Sequence, residues 1–440
     1  MMTVAPAPHV RRAGLIITAA SLATIAYATL LPARGPVVGS HLCLVCGSVG
    51  GVDAVLNVFL FVPLGIGLVL SGLSGKRVLL VVCALSGLIE AAQFLTIPGR
   101  DAAIGDVLSN ILGGAVGLAV ARYATRWLRP PPRLAKRLAM GWATIWLAIQ
   151  IVSNFSFAPS LPDSQYYGQI ARVFWNFAVF PGAVISASIG DVRIPNTALT
   201  ESHRARRLLL EGATVATTVV PAELTLDVAP IVRVVDGKKN EIVLLAQNGE
   251  SLVFGIHTGA AVLRLRPLLF ALPGVFPAPA LIPSSDADTL TLSGRYAPSS
   301  VRMNTESRSA TQERSIPLTT SLGWTLWLPF QWFIEGTRLE LVVSWIWLTC
   351  LAMPLGFWFV SINDPWTFRE RFRHWVPVVL AGSVLLCAGL VAVPIAFGLS
   401  PASLADWLAT LAGIVVGGGL GALKSHACRT HRVASASPQG

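Results

Sequence analysis

The chain has 440 residues, of which 53% are hydrophobic and only 12% charged, about half the charged share of an average soluble domain. With a mean hydropathy of +0.65, this excludes a soluble globular enzyme, a disordered protein and a secreted disulfide scaffold. It predicts an integral membrane protein whose first partner is the lipid bilayer. The net charge of +11 is a topology signal rather than a nucleic-acid footprint. Sixteen basic residues sit in short stretches beside apolar runs: Arg11–Arg12, Lys76–Arg77, six between Arg122 and Arg137, Arg369, Arg371 and Arg373, and Lys424, Arg429 and Arg432. The long polar segment 154–322 is nearly neutral, with 14 basic and 13 acidic residues. Retention of Lys and Arg on the cytoplasmic side produces this pattern, so no nucleic-acid partner is expected.

A bilayer core requires an apolar run of about 20 residues. Residues 1–12 read as a cytoplasmic N-terminus and 13–31 as the first span. This uncharged, mostly apolar run of 19 residues exceeds a signal-peptide core of roughly 7–15 residues, which favours an anchor over a cleaved signal. Spans at 52–72, 78–95 and 104–121 complete a membrane domain over 13–122. A basic cytoplasmic loop at 123–137 leads to a fifth span at 138–153. An extracytoplasmic domain follows over 154–322, then an aromatic interfacial segment over 323–338 with Trp324, Trp327 and Trp332. Spans at 339–360, 376–398 and 403–423 form a three-helix region, and 424–440 is a cytoplasmic tail. The fold class is therefore a polytopic α-helical membrane protein of eight spans carrying an inserted all-β sandwich.

Within 154–322, short alternating runs replace long apolar ones: Ile231–Val235, Glu241–Ala246, Ser251–Ile256 and Ala260–Leu265. Asp236-Gly237, Asn248-Gly249 and Thr258-Gly259 separate them, and Asp-Gly and Asn-Gly favour tight hairpins. Thr289–Tyr296 and Ser299–Asn304 follow a Pro-rich connection at 273–283. Regularly spaced short strands of this kind predict a sandwich.

Of six cysteines, Cys83, Cys350 and Cys387 fall inside spans and Cys428 in the tail. Cys43 and Cys46 share the first outer loop, where an oxidising space permits a disulfide between them. A metal site would need two further ligands there. The seven histidines show no ligand spacing, so no metal and no cofactor are expected.

The polar residues in spans two to four carry the functional signal. Asp53 and Asn57 open the second span at i, i+4, Glu90 and Gln93 lie near the end of the third, and Asp106 and Asn110 open the fourth. Each pair shares a helix face. Arg100 and Asp101 sit in the turn between the third and fourth spans. The predicted topology gathers all of these near the outer surface. An ionisable residue in a span suggests function, with a partner. The competing structural readings are a hydrogen-bonded lock between helices and, for Asp53 and Asp106, charges complementing helix N-termini.

An internal repeat is visible as well. Pro63-Leu64-Gly65 reappears as Pro354-Leu355-Gly356, and Asp106-x-Leu108-x4-Gly113-x3-Gly117 as Asp406-x-Leu408-x4-Gly413-x3-Gly417. The second copy has no acid matching Glu90 and no Asn matching Asn110, so a polar site is expected in the first copy alone.

Taken in order, Asp53-x3-Asn57-x5-Pro63-Leu64-Gly65, Ser86-x3-Glu90-x2-Gln93 and Pro98-Gly99-Arg100-x5-Asp106-x3-Asn110-x2-Gly113 resemble the VanZ-like membrane family over about residues 15–122. The founding member of that family is associated with reduced susceptibility to the glycopeptide teicoplanin. More loosely, 231–266 and 289–304 are similar to concanavalin A-like (laminin-G-like) sandwiches, which often bind glycans. The basic clusters and eight crossings predict both termini in the cytoplasm, and the resemblance implies a multi-pass protein of the bacterial cytoplasmic membrane acting at the outer leaflet on the cell envelope. Asp53, Asn57, Glu90, Gln93, Arg100, Asp106 and Asn110 are the expected binding residues for a polar head group, a lipid-linked precursor, an envelope glycan or a glycopeptide. A membrane enzyme on a lipid-linked substrate is the main alternative, with Glu90 as candidate acid/base and Arg100 holding phosphate or carboxylate. A transporter is a third reading, suggested by the repeat.

Overall fold

The computed structural model describes residues 7–31, 42–97, 102–172, 177–276, 289–308, 310–362 and 379–435. Among them, eight helices are long and apolar enough to cross a membrane. The chain divides into two compact units, residues 1–135 and 136–440.

The first unit contains helices α1 (Pro8–Leu30), α2 (Gly50–Leu70), α3 (Gly75–Thr96) and α4 (Ile104–Leu128). At 1.5 Å per residue each reaches about 30 Å or more, the thickness of a bilayer core. Two short strands, β1 (Leu42–Cys43) and β2 (Ala102–Ala103), pair in parallel beside the starts of α2 and α4. Leu80 and Leu88 of α3 are exposed, as a lipid-facing side requires, while Ile25, Phe61, Leu64, Val82 and Ile89 close a core between helices. Lipid offers no hydrophobic drive between helices, so small residues that allow close approach decide where they cross. Gly65 meets the backbone of Gly114 and Gly117, and Gly113 and Gly117 meet the backbone around Val58 and Val62.

The second unit begins within α5 (Pro132–Phe157), and α6 (Ser202–Leu210) lies in the segment that follows. One six-stranded sheet runs β14-β10-β9-β8-β7-β3. Its strands are β3 (Tyr166–Ile170), β7 (Ala229–Asp236), β8 (Glu241–Asn248), β9 (Ser251–Ile256), β10 (Leu269–Leu272) and β14 (Phe333–Ile334). The other runs β13-β12-β11-β6-β4-β5. It comprises β4 (Ala183–Ile189), β5 (Val192–Arg193), β6 (Thr214–Val220), β11 (Leu290–Ala297), β12 (Ser300–Glu306) and β13 (Thr311–Pro317). All pairings are antiparallel except β10 with β14. The sheets meet where Gly294 of β11 admits the Phe254 ring of β9, and where Phe270 stacks edge-on against Tyr296 with centroids 6.1 Å apart.

Helices α8 (Arg338–Ile362), α9 (Val379–Ala396) and α10 (Leu404–Ser435) follow. Trp146, Leu351, Leu386 and Leu390 form a core among α5, α8 and α9. The repeat is realised contact for contact. Gly413 lies against the carbonyl of Thr349 and Cβ of Ala352, Gly417 against Met353 and Phe357, and Gly356 against Ile414. These partners stand at the same offsets from Pro354 as Val58, Phe61, Val62 and Ile66 do from Pro63. Thus α8 crosses α10 as α2 crosses α4.

Several expectations are corrected. The predicted strand Ala260–Leu265 is a helical turn, α7 (Gly259–Val262). Gly259 N–H is held by the Ala158 carbonyl at 2.9 Å, and Leu265 N–H returns to Ala260 at 2.8 Å, so this stretch ties the sheet to the end of α5. The strand expected there forms at Leu269–Leu272 instead. The basic loop 123–137 shrinks to 129–131, because α4 continues to Leu128 and α5 starts at Pro132. Proline is tolerated in a first helical turn and disfavours helix before it, so 130–132 separates two helices with little loop. The tail 424–440 is helical as far as Ser435. Trp324 is buried rather than presented at an interface. Its ring lies edge-on to Trp332 at 5.4 Å, and its Nε1 donates to Ser344 Oγ at 3.0 Å.

Candidate functional site

Ser86, Glu90 and Gln93 form one buried stripe on α3, at the i, i+4, i+7 spacing of a helix face. Each joins α3 to a different group. Gln93 Nε2 donates to the Thr29 carbonyl at 3.0 Å. That carbonyl lies in the last turn of α1, where helix geometry leaves oxygens without intrahelical donors. Glu90 Oε2 accepts from Ala103 N–H at 2.8 Å. Ala103 is the N-cap of α4, so the carboxylate both satisfies an orphan donor and faces the positive end of a helix dipole. Asn110 Nδ2 donates to Ser86 Oγ at 2.9 Å. Its Oδ1 is buried and accepts no hydrogen bond among the described residues.

Asp53 and Asp106 occupy the first turns of α2 and α4, both half-buried and both engaged by neighbours. Asn57 is half-buried one turn further along α2. Arg100 and Asp101 lie outside the described residues. The predicted set thus converges for Glu90, Gln93, Asp106 and Asn110, with Asp53 and Asn57 on the neighbouring helix start.

A covalently closed loop lies against this end of the bundle. Cys43 and Cys46 are joined by a disulfide, and both sulfurs sit 3.7–3.8 Å from the Ala102 carbonyl oxygen. Leu42 and Cys43 pair with Ala102 and Ala103, and Gly105 N–H donates to Leu44 at 2.8 Å. The segment that receives the Glu90 bond is therefore held from both sides.

The described groups are rich in acceptors. Among these groups Asn110 Oδ1 has lone pairs to spare, whereas the amide hydrogens named above are committed to Thr29 and Ser86. Such an oxygen suits a ligand that donates a hydrogen bond. Among the described residues no group of three His, Cys, Asp or Glu is arranged to hold a metal ion.

The roles of Thr29 and the Ala103 amide were not legible beforehand, since a backbone group leaves no trace in residue type. The second unit has buried polar residues of its own, with no acid matching Glu90 and no Asn matching Asn110. Gln150, Ser153 and Asn154 of α5, Ser344 of α8 and Asp406 and Thr410 of α10 are all buried. They come largely from positions other than those of the first copy. Asp406 stands where Asp106 does, but it makes a reciprocal cap with Ser403: Ser403 N–H to Asp406 Oδ2 at 3.0 Å and Asp406 N–H to Ser403 Oγ at 3.2 Å. Thr410, in the place of Asn110, returns its hydroxyl to the Asp406 carbonyl at 2.8 Å.

Residues 15–127 match the VanZ/LLP1 family. No curated protein and no solved structure matches the chain.

Proposed function

With residues 15–127 a VanZ-like domain, we propose that this membrane protein acts at the outer leaflet of a bacterial cytoplasmic membrane, where it binds a polar head group or glycopeptide of the cell envelope. The observation that carries the reading is the buried Asn110 Oδ1, which accepts no hydrogen bond among the described residues, on a side chain anchored to Ser86 one turn of α3 from Glu90. A ligand bringing an amine or hydroxyl donor satisfies that oxygen. The basic clusters support cytoplasmic termini and an extracytoplasmic 154–322, and in that topology the cluster and the sandwich face the envelope. An amino sugar, an ethanolamine head group or the amine of a glycopeptide fits that chemistry.

The test is teicoplanin susceptibility of a sensitive host expressing wild type or Glu90→Gln at matched membrane levels. Glutamine retains an oxygen to accept the Ala103 N–H, so the helix contact survives while the charge is removed. The expected result is protection by wild type that the variant loses. Equal protection by both makes Glu90 a purely structural clamp, and protection by neither overturns the glycopeptide reading.

A further inference from the structure

The sandwich carries a concavity of about 250 Å³ at the edge strand β3 and the β7–β8 turn, lined by none of the residues of the membrane cluster. Most of its acceptors are already used. Gln169 Oε1 accepts from Arg233 Nη1 at 3.2 Å, and Asn196 Oδ1 from Ile170 N–H at 3.1 Å. The Thr197 carbonyl accepts from Gly168 N–H at 2.8 Å. The buried Asp236 carboxylate takes Lys238 N–H, Asn240 N–H and Asn240 Nδ2, each at 2.8 Å. What remains is a set of donors: the amide hydrogens of Gln169 and Asn196, the Thr197 hydroxyl, and the cations of Arg172 and Lys239. Both cations are exposed, and neither has an ion-pair partner among the described residues.

The lip is also conformationally committed. Lys239 has φ +66° and Ala171, next to Arg172, has φ +42°, a region that L-residues rarely adopt. The three bonds to Asp236 hold the Lys239 turn in that state. Strained backbone of this kind persists where the surroundings over-determine it, and it concentrates at ligand sites. The half-exposed ring of Tyr167 lines the same concavity and offers a flat apolar wall.

We propose that this concavity binds an oxyanion-bearing sugar, with Arg172 and Lys239 pairing with the carboxylate or phosphate and Gln169, Asn196 and Thr197 donating to the ring oxygens. A volume of 250 Å³ admits one such residue. Donors in excess of free acceptors select a ligand that presents acceptors, and two unpaired cations against one carboxylate that already takes three hydrogen bonds select negative charge. This deepens the envelope reading only in taking the sandwich to face outward.

The test uses the full chain in lipid nanodiscs, titrated with a galacturonic acid trimer, glucose 6-phosphate and maltotriose. One acidic probe is expected to bind at least about tenfold more tightly than maltotriose, since a hydrogen bond to a charged group contributes on this scale. Which acid binds separates a carboxylated from a phosphorylated source. Arg172→Gln with Lys239→Gly, the latter suited to the positive φ, is expected to weaken that binding at least about tenfold, and added salt to weaken it further. Equal binding of maltotriose, unchanged affinity in the double variant, or no binding of either acid overturns the proposal. Trimer binding without glycopeptide protection overturns only the head-group reading, and the reverse result only this site.

Discussion

Gly117→Ala isolates the force that sets the first bundle. A Cβ at Gly117 comes 2.9 Å from Ile66 N and 3.0 Å from Gly65 Cα, and also meets the Val62 carbonyl oxygen. All three are backbone atoms of α2, so no side-chain rotation relieves the contact. Ordinary contact between such atoms is about 3.5–4.0 Å, so α2 and α4 must separate by about 1 Å or more. Overpacking of this kind costs about 1–3 kcal/mol. Alanine also favours helix over glycine by up to about 1 kcal/mol, and Gly87→Ala on α3 controls for that, since its Cβ meets nothing within 4 Å. Reversible unfolding in mixed detergent micelles should therefore place Gly117→Ala about 1–3 kcal/mol below Gly87→Ala. Gly417→Ala, whose Cβ meets the Met353 carbonyl and Phe357 N, should behave alike. Indistinguishable stabilities for Gly117→Ala and Gly87→Ala would refute close helix approach as the organising contact.

Two further outcomes follow from the second unit. Trp324→Phe keeps the ring but removes the bond to Ser344, and a buried hydroxyl left without its donor costs about 1–2 kcal/mol. Thermal unfolding should show that loss, and adding Ser344→Ala should cost little more. A fully additive double variant would deny the coupling. Burial pushes the Tyr166 phenol up to about 12 and raises that of Tyr296 further. Their hydroxyls donate to the Pro162 and Phe157 carbonyls at 2.8 and 2.6 Å. A folded-state value above the unfolded one, near 10, means the folded state holds more protons in that window. The contribution is complete below pH 10 and is lost as pH rises toward the folded value. Chemical unfolding should report falling stability from about pH 10 upward; a flat profile between pH 10 and 12 would contradict it.

Much of the architecture is readable from residue order alone. Eight apolar runs, the hairpin turns at Asp236-Gly237 and Asn248-Gly249, and the repeated Pro-Leu-Gly and Gly-x3-Gly spacings depend on local periodicity and backbone freedom, which residue type reports directly. The convergence of Glu90, Gln93 and Asn110 was legible too, because spacing fixes the face of a helix. Other features depend on distant partners. Ala260–Leu265 alternates like a strand, yet it turns because α5 captures Gly259. Trp324 has the composition of a membrane-interface anchor and is buried because Ser344 and Trp332 receive it. Glu90 serves the Ala103 amide, and Gln93 the Thr29 carbonyl, through backbone groups that any residue supplies. Periodicity along the chain thus determined the spans and their faces, while tertiary structure alone decided which backbone groups, left unsatisfied at helix ends, each buried side chain meets.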